Sequence, residues 1–290
     1  MRAIANSLIL FILVLFSAES WAFGSRPPQV IETCGSLTFQ RTAKYCIYQM
    51  EGSKSKNIIY VLHGRGQHER VWKEYADQIN GFWKTMGYEI PTVISFTYGS
   101  DWLLVEENGS PLSGLLDEVV DRVMPALEEK IGGLKGERIL VGGSMGGFNT
   151  TQLALKRGHL FSQAIILCPA MTTFSPFDPL SIVWEYIERT HAKPSKVFAA
   201  IELVQKFFPD DQAWLRASPV ELAKKYLNSS SVPIYLSCGT HDEYGFFEGT
   251  EQFYQIGKDR GARIKWKPVP FGKHCDFSEL DIAWYMINEI

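Results

Sequence analysis

Val141-Gly142-Gly143-Ser144-Met145-Gly146-Gly147 is the stretch whose reading decides the fold. An apolar, β-rich run (138–141, RILV) enters it, and a run with helical spacing (145–156) leaves it. Within it, Gly142 to Gly146 read G-x-S-x-G. A sharp strand-to-helix turn of this kind holds a serine in a strained backbone conformation, with its hydroxyl projecting from the end of a sheet. Small residues on either side let the two backbones approach closely. The helix N-terminus behind Ser144 supplies free N–H groups and the positive end of a dipole, both suited to a developing oxyanion. The competing reading is a glycine-rich turn that only packs.

Outward from this turn the chain alternates. Short apolar runs at 57–62 (NIIYVL), 91–96 (PTVISF), 163–168 (QAIILC) and 232–237 (VPIYLS) predict strands, and 263–268 (RIKWKP) is read as one more. Segments 69–83, 115–131, 247–258 and 277–290 have helical spacing, and Pro125 should kink the second of them. The central strands are continuous apolar runs, as expected for parallel strands covered on both faces. Alternation over this length implies an α/β fold with one doubly wound, mostly parallel sheet. The stretch 170–231 breaks the pattern. It has no convincing strand, reads as three helices and is rich in aromatics, including Phe174, Trp184, Phe198 and Trp214. We read it as a helical cap inserted between two strands, with a purely structural excursion as the alternative.

A serine hydroxyl is a weak nucleophile at neutral pH and needs an adjacent base. In strand–turn–helix sites of this type the chain order is serine, acid, histidine. His274 lies in a loop after the last strand and before the last helix, where a base can reach back over the sheet edge. His159 ends the helix that follows Ser144, and His191 falls in the cap. Asp242 follows the strand at 232–237 and is the expected acid, with Glu243 and then Asp276 as alternatives; a surface carboxylate is the competing reading for each. Two oxyanion donors are expected, the backbone N–H of Met145 and that of Arg65 in the turn His63-Gly64-Arg65-Gly66. The Arg65 guanidinium itself is read as facing solvent. His63 and Gly64 then fall at the substrate-binding edge. No metal-ligand spacing is found, and no cofactor is expected.

Composition bounds the setting. The chain has 290 residues, 46% hydrophobic and 21% charged, with a formal net charge of −3 and no basic run. Nucleic acid is therefore a poor partner. Residues 1–22 read as a cleavable signal peptide: Arg2 in the n-region, nine apolar residues at 8–16, then Ser20-Trp21-Ala22. An uncleaved anchor is the alternative, although the apolar run is too short to cross a bilayer of roughly 30 Å. The remaining domain, 23–290, is expected to be periplasmic or secreted, without stable membrane insertion once the signal is removed. That compartment permits disulfides. Cys34 and Cys46 are equidistant from Gln40, the centre of a predicted hairpin with strands at 30–39 and 45–50, so they form a candidate bridge. Of Cys168, Cys238 and Cys275, Cys238–Cys275 is one candidate pair, and sequence alone does not fix connectivity.

Four passages resemble the α/β-hydrolase esterase family that includes esterase D (S-formylglutathione hydrolase), bacterial feruloyl esterases and mycolyltransferases. They are the H-G-R-G turn at His63, the Gly-Ser-Asp-Trp-Leu-Leu stretch at 99–104, the proline-containing helix from Leu116, and 142–147 followed by Leu160-Phe161. The resemblance covers 57–168 and resumes at 236–242 and at His274, while the cap matches no known pattern. It implies an α/β-hydrolase fold with Ser144, Asp242 and His274 as the triad, and it suggests Trp102 as a substrate-binding residue, with packing as the alternative. The expected activity is hydrolysis of a small-molecule or polysaccharide-linked ester through an acyl-enzyme. One rival is an envelope acyltransferase using the same triad. The other is a non-catalytic, hydrolase-like binding protein, which three competent side chains at the triad positions argue against.

Overall fold

All five residues of β3 (Ile58–Leu62) are buried. Successive side chains on a strand point to opposite faces. Ile58, Tyr60 and Leu62 accordingly enter one apolar layer, and Ile59 and Val61 enter the other. The computed structural model describes residues 29–106 and 109–290, so the signal segment expected at 1–22 lies outside the described residues. It sets β3 in an eight-stranded sheet with β1 (Val30–Thr38), β2 (Thr42–Met50), β4 (Thr92–Thr97), β5 (Arg138–Gly143), β6 (Gln163–Leu167), β7 (Ile234–Gly239) and β8 (Ile264–Val269). The order is β1-β2-β4-β3-β5-β6-β7-β8. The pairings β1/β2 and β2/β4 are antiparallel, and the rest are parallel.

Helices cover both faces. α1 (Ala76–Thr85) and α10 (Glu279–Tyr285) bury Ile79, Trp83, Ile282 and Ala283 on one side. On the other lie α2 (Leu115–Glu118), α3 (Met124–Glu129), α4 (Met145–Lys156) and α9 (Phe246–Asp259). The helix expected at 115–131 is interrupted as Pro125 predicts, but by a π-helical turn, Val119–Val123, rather than a break. Widening the turn before a proline is one way to accommodate the missing N–H and the ring. The helix expected at 69–83 divides into a 3-10 turn, Val71–Glu74, and α1.

Between β6 and β7 the chain forms four helices, not the three expected: α5 (Leu180–Thr190), α6 (Pro194–Phe207), α7 (Asp211–Leu215) and α8 (Pro219–Tyr226). The shortest is α7, started by the Asp210 side chain accepting the Ala213 N–H.

From β3 the chain passes to β4 on one side, and β5 then flanks β3 on the other. The carboxyl ends of β3 and β5 therefore meet at a topological switch point, where open α/β sheets place their ligands. Two glycines make the meeting possible. A Cβ on Gly146 would lie 1.9 Å from the Leu62 carbonyl oxygen, and one on Gly142 would lie 2.3 Å from that of Gly146. Both obstacles are backbone atoms, which cannot rotate away. Gly146→Ala is expected to lower the unfolding free energy by about 3 kcal/mol, read from urea denaturation followed by circular dichroism.

Candidate active site

Ser144 lies at the tip of the β5–α4 turn with φ 55° and ψ −119°, a conformation that residues with side chains rarely adopt. Its N–H donates to the Leu167 carbonyl at 3.0 Å, and its own carbonyl accepts from Ala170 N–H at 3.1 Å and Phe148 N–H at 3.0 Å. These bonds hold the strained residue between β6 and the first turn of α4.

Two other turns reach Ser144. The Ser144 hydroxyl donates to His274 Nε2 at 2.9 Å, and His274 Nδ1–H donates to Asp242 Oδ2 at 2.6 Å. The Asp242 side chain is fully buried. Its Oδ1 accepts the Tyr244 N–H at 2.8 Å and the Phe246 N–H at 3.4 Å. The Tyr244 ring lies 4.5 Å from the imidazole. The structure thus brings together the expected nucleophile, base and acid.

The alternatives fall elsewhere. Asp276 accepts the Lys273 N–H within its own turn. Glu243 has a different task. Its Oε2 accepts the His274 backbone N–H at 3.1 Å and its Oε1 pairs with Lys193 Nζ at 3.0 Å, while its backbone carbonyl accepts the Lys193 N–H. The hydrogen bond from His274 N–H, followed by that from Lys193, holds its carboxyl below the usual range. Glu243 therefore joins the His274 loop to the start of α6, a link with no signature in the sequence.

The His63-Gly64-Arg65-Gly66 turn lies against the serine: a Cβ on Gly64 would be 3.6 Å from Ser144 Cβ. Arg65 and Ser144 line the same two pockets. The expectation that the Arg65 guanidinium faces only solvent is corrected. It donates to Asp101 Oδ1 at 3.2 Å and to the Ala199 carbonyl of α6 at 2.9 Å.

The substrate-binding expectation for Trp102 is also corrected. Trp102 is fully buried beside Phe96 and Tyr98, and its Nε1–H donates to His63 Nε2 at 2.9 Å. His63 turns inward too, at 1% exposure, and burial pushes its pKa below 6.5. A ring packed under the turn cannot also form the pocket wall. The motif gave the position of this tryptophan, but not the direction of its side chain.

Cys34 and Cys46 are bonded across the β1–β2 register as expected. The candidate Cys238–Cys275 pair is not formed. Cys275 bonds to Cys168, which lies 107 residues away, and Cys238 is a buried free thiol. The reason is topological, since β6 ends beside the His274 loop. Both Cys168 (φ 38°) and Cys275 (φ 61°) have left-handed backbones, so the bridge fixes two strained residues next to His274. In Cys168→Ser/Cys275→Ser, loss of this long-range crosslink is expected to cost about 4 kcal/mol of stability, read from denaturant midpoints. The freed loop should also lower kcat.

Two pockets open at Ser144. One runs under α6 and is lined mainly by apolar side chains, among them Phe148, Val197, Ile201 and Trp214, with a cavity volume of about 50 Å³. The other, about 340 Å³, lies toward α1 and α10 and includes Gln67, Trp72, Tyr75, His274 and Phe277.

Comparison with known proteins fits this arrangement. The family model described as "Putative esterase" matches residues 105–275, more than half of the chain. A search of curated proteins found no match. Among solved structures, a ferulic acid esterase aligns with TM-score 0.64 at 14% identity, covering 90% of this chain and 95% of its own. A fungal esterase from Rhizomucor miehei aligns with TM-score 0.65 at 14% identity over 91% and 82% of the two chains. Brefeldin A esterase, a bacterial homologue of human hormone-sensitive lipase, aligns with TM-score 0.61 at 16% identity over 91% and 74%. At these identities the likeness is one of fold, that of the α/β-hydrolases. No helix among the described residues is long and apolar enough to cross a membrane.

Proposed function

Since the chain belongs to the Putative esterase family and is a carboxylic ester hydrolase, we propose that it works through a Ser144–His274–Asp242 triad and an acyl-enzyme on Ser144. The observation that carries this reading is the unbroken Ser144 Oγ, His274 imidazole, Asp242 carboxylate chain, with links of 2.9 and 2.6 Å, on a serine held in a strained turn.

The steps of this reading use that geometry. Ser144 Oγ attacks the ester carbonyl as its proton passes to His274 Nε2. The buried Asp242 side chain accepts from Nδ1–H and stabilises the imidazolium. Negative charge moves to the former carbonyl oxygen. The N–H of Met145, first in α4 and so without an intrahelical partner, and the N–H of Arg65 are the donors for that oxyanion. The tetrahedral adduct collapses, the C–O bond to the alcohol breaks, and His274 returns its proton to the departing oxygen. Water then repeats the sequence on the acyl-enzyme, releasing the acid and restoring Ser144. Two disulfides among the described residues support export out of the reducing cytosol, in keeping with a signal peptide at 1–22.

His274 lines only the larger pocket, so the departing alcohol is assigned there. The acyl group then enters the narrow pocket beneath the α5–α8 cap, about 50 Å³ or room for roughly four water-sized groups. Across p-nitrophenyl acetate, butyrate, octanoate and palmitate, kcat/KM is expected to peak at acetate or butyrate and to fall at least tenfold by octanoate. Ile201→Ala should shift that optimum toward longer chains. Ser144→Ala is expected to abolish hydrolysis and fluorophosphonate labelling while leaving the circular dichroism spectrum unchanged; residual turnover at the wild-type level would refute the triad.

A further inference from the structure

The functional reading leaves the buried pair His63 and Trp102 without a task, yet their hydrogen bonds form a directed chain that ends at the Gly64–Arg65 peptide. His63 Nδ1 lies 2.7 Å from the Gly64 carbonyl oxygen. A carbonyl can only accept, so the proton is on Nδ1. Nε2 is then a bare acceptor, and it receives Trp102 Nε1–H at 2.9 Å. The Thr97 hydroxyl is also 2.6 Å from Nε2. An indole N–H can only donate, so Trp102 selects the tautomer that places a donor on the Gly64 side.

That choice has a consequence for the next peptide group. In a trans peptide the C=O of one residue and the N–H of the next point in opposite directions, and the described residues contain no cis bonds. Holding the Gly64 carbonyl toward the buried imidazole therefore turns the Arg65 N–H the other way, out of the buried layer beneath the turn. A flip of this peptide would exchange the two, presenting a carbonyl oxygen where an oxyanion must form. Gln67 N–H also donates to the Gly64 carbonyl, at a longer 3.2 Å, and the Gln67 side chain accepts the Gly64 N–H at 2.9 Å. The imidazole is the shorter of the two restraints on that carbonyl. It is also the only one of them fixed from beneath: the Trp102 ring is locked by Phe96 and Tyr98, and the Trp102 backbone N–H donates to Met145 Sδ at 3.5 Å.

We propose that His63 and Trp102 are positioning residues for the oxyanion site: Trp102 sets the tautomer of His63, and His63 holds the Gly64–Arg65 peptide with its N–H directed at the reacting carbonyl. This rests on the reading of Ser144 as nucleophile and Arg65 N–H as oxyanion donor. Trp102 lines neither pocket, and His63, at 1% exposure, borders the larger one from beneath; both act through the turn and not on the reacting atoms. Their effect is on stabilisation of the tetrahedral state and not on ground-state binding.

The test compares His63→Leu, His63→Asn, Trp102→Phe and Ser144→Ala on p-nitrophenyl butyrate, with thermal denaturation of each. It also measures inhibition by a phenylboronic acid, whose adduct with serine is tetrahedral. His63→Leu removes the donor and should lower kcat about 100- to 1,000-fold, the loss typical of one oxyanion donor, with KM changed less than threefold and boronate affinity falling in parallel. His63→Asn keeps an N–H near the Nδ1 position and should recover at least tenfold of that loss. Trp102→Phe keeps the ring but loses the N–H, and should lower kcat about tenfold at unchanged KM. The proposal is overturned if a folded His63→Leu keeps kcat within threefold of wild type, or if KM rises as kcat falls. It is equally overturned if the Asn variant, folded, shows no recovery over Leu. Turnover by Ser144→Ala would instead overturn the nucleophile assignment beneath it; an inactive Ser144→Ala beside fully active His63 and Trp102 variants overturns the inference alone.

Discussion

The α-carbon of Gly146 and the carbonyl of Leu62 approach so closely that no side chain fits between them. That contact joins the end of β3 to the first turn of α4. It sets the His63–Gly66 turn beside Ser144 and brings the free N–H groups of the helix to the same point. Parallel pairing of β3 with β5, through Leu62↔Gly142, fixes the register in which this occurs. The strain at Ser144 follows, because a chain that must reverse within one residue between β5 and α4 leaves that residue no ordinary backbone conformation. The surrounding bonds from Leu167, Ala170 and Phe148 over-determine it. The remaining elements are arranged around this fixed point.

The cap is fastened to that point at two places. Arg65 reaches from the turn beside Ser144 to the Ala199 carbonyl and to Asp101, and Lys206 of α6 pairs with the same Asp101 at 3.6 Å. Glu243 reaches from beside the buried carboxylate to Lys193 at the start of α6, and its other oxygen holds the His274 backbone. These are half-exposed ion pairs, each worth little alone. Their importance is geometric. α6 cannot move away from the pocket without releasing a contact to the His63–Gly66 turn or to the His274 loop. Pocket shape and site geometry are therefore linked through the same helix.

Much of this was legible from the sequence where the signal is local. The nucleophile turn and the acid each follow an apolar run, and the histidine follows a strand of alternating exposure, so their places at strand ends could be read directly. Cys34–Cys46 was legible for the same reason, since a hairpin centred on Gln40 puts them in register. Its turn is tighter than expected, and β2 begins at Thr42. What the sequence withheld depends on elements far apart in the chain. Cys168–Cys275 needs β6 and the last loop to meet, and no spacing reports that. Trp102 lay in a recognisable stretch, but whether its indole turns toward the pocket or under the turn is settled by Phe96, Tyr98 and His63 packed around it. The cap gave its composition but not its helix count, because α7 is one short turn that a side-chain cap initiates.

The adjacent carboxylates Asp242 and Glu243 show how burial separates chemistry from scaffolding. A buried carboxylate is costly unless its oxygens are hydrogen-bonded. Asp242 meets that condition through backbone donors from Tyr244 and Phe246 on one oxygen and the imidazole on the other. The two backbone bonds come from the turn into α9, so they exist before any substrate arrives and need not reorganise as charge develops on His274. Glu243 points the other way, toward a lysine at the surface, where solvent screens the pair. Two neighbouring acids thus divide the work by the side of the β7–α9 turn they face: the inward one meets the imidazole ring, and the outward one holds the backbone of the same histidine. The turn is tied to the His274 loop at its start as well, because Gly239 packs against the Gly272 and Lys273 carbonyls, 2.3 and 2.4 Å from a Cβ at that position, where no side chain fits.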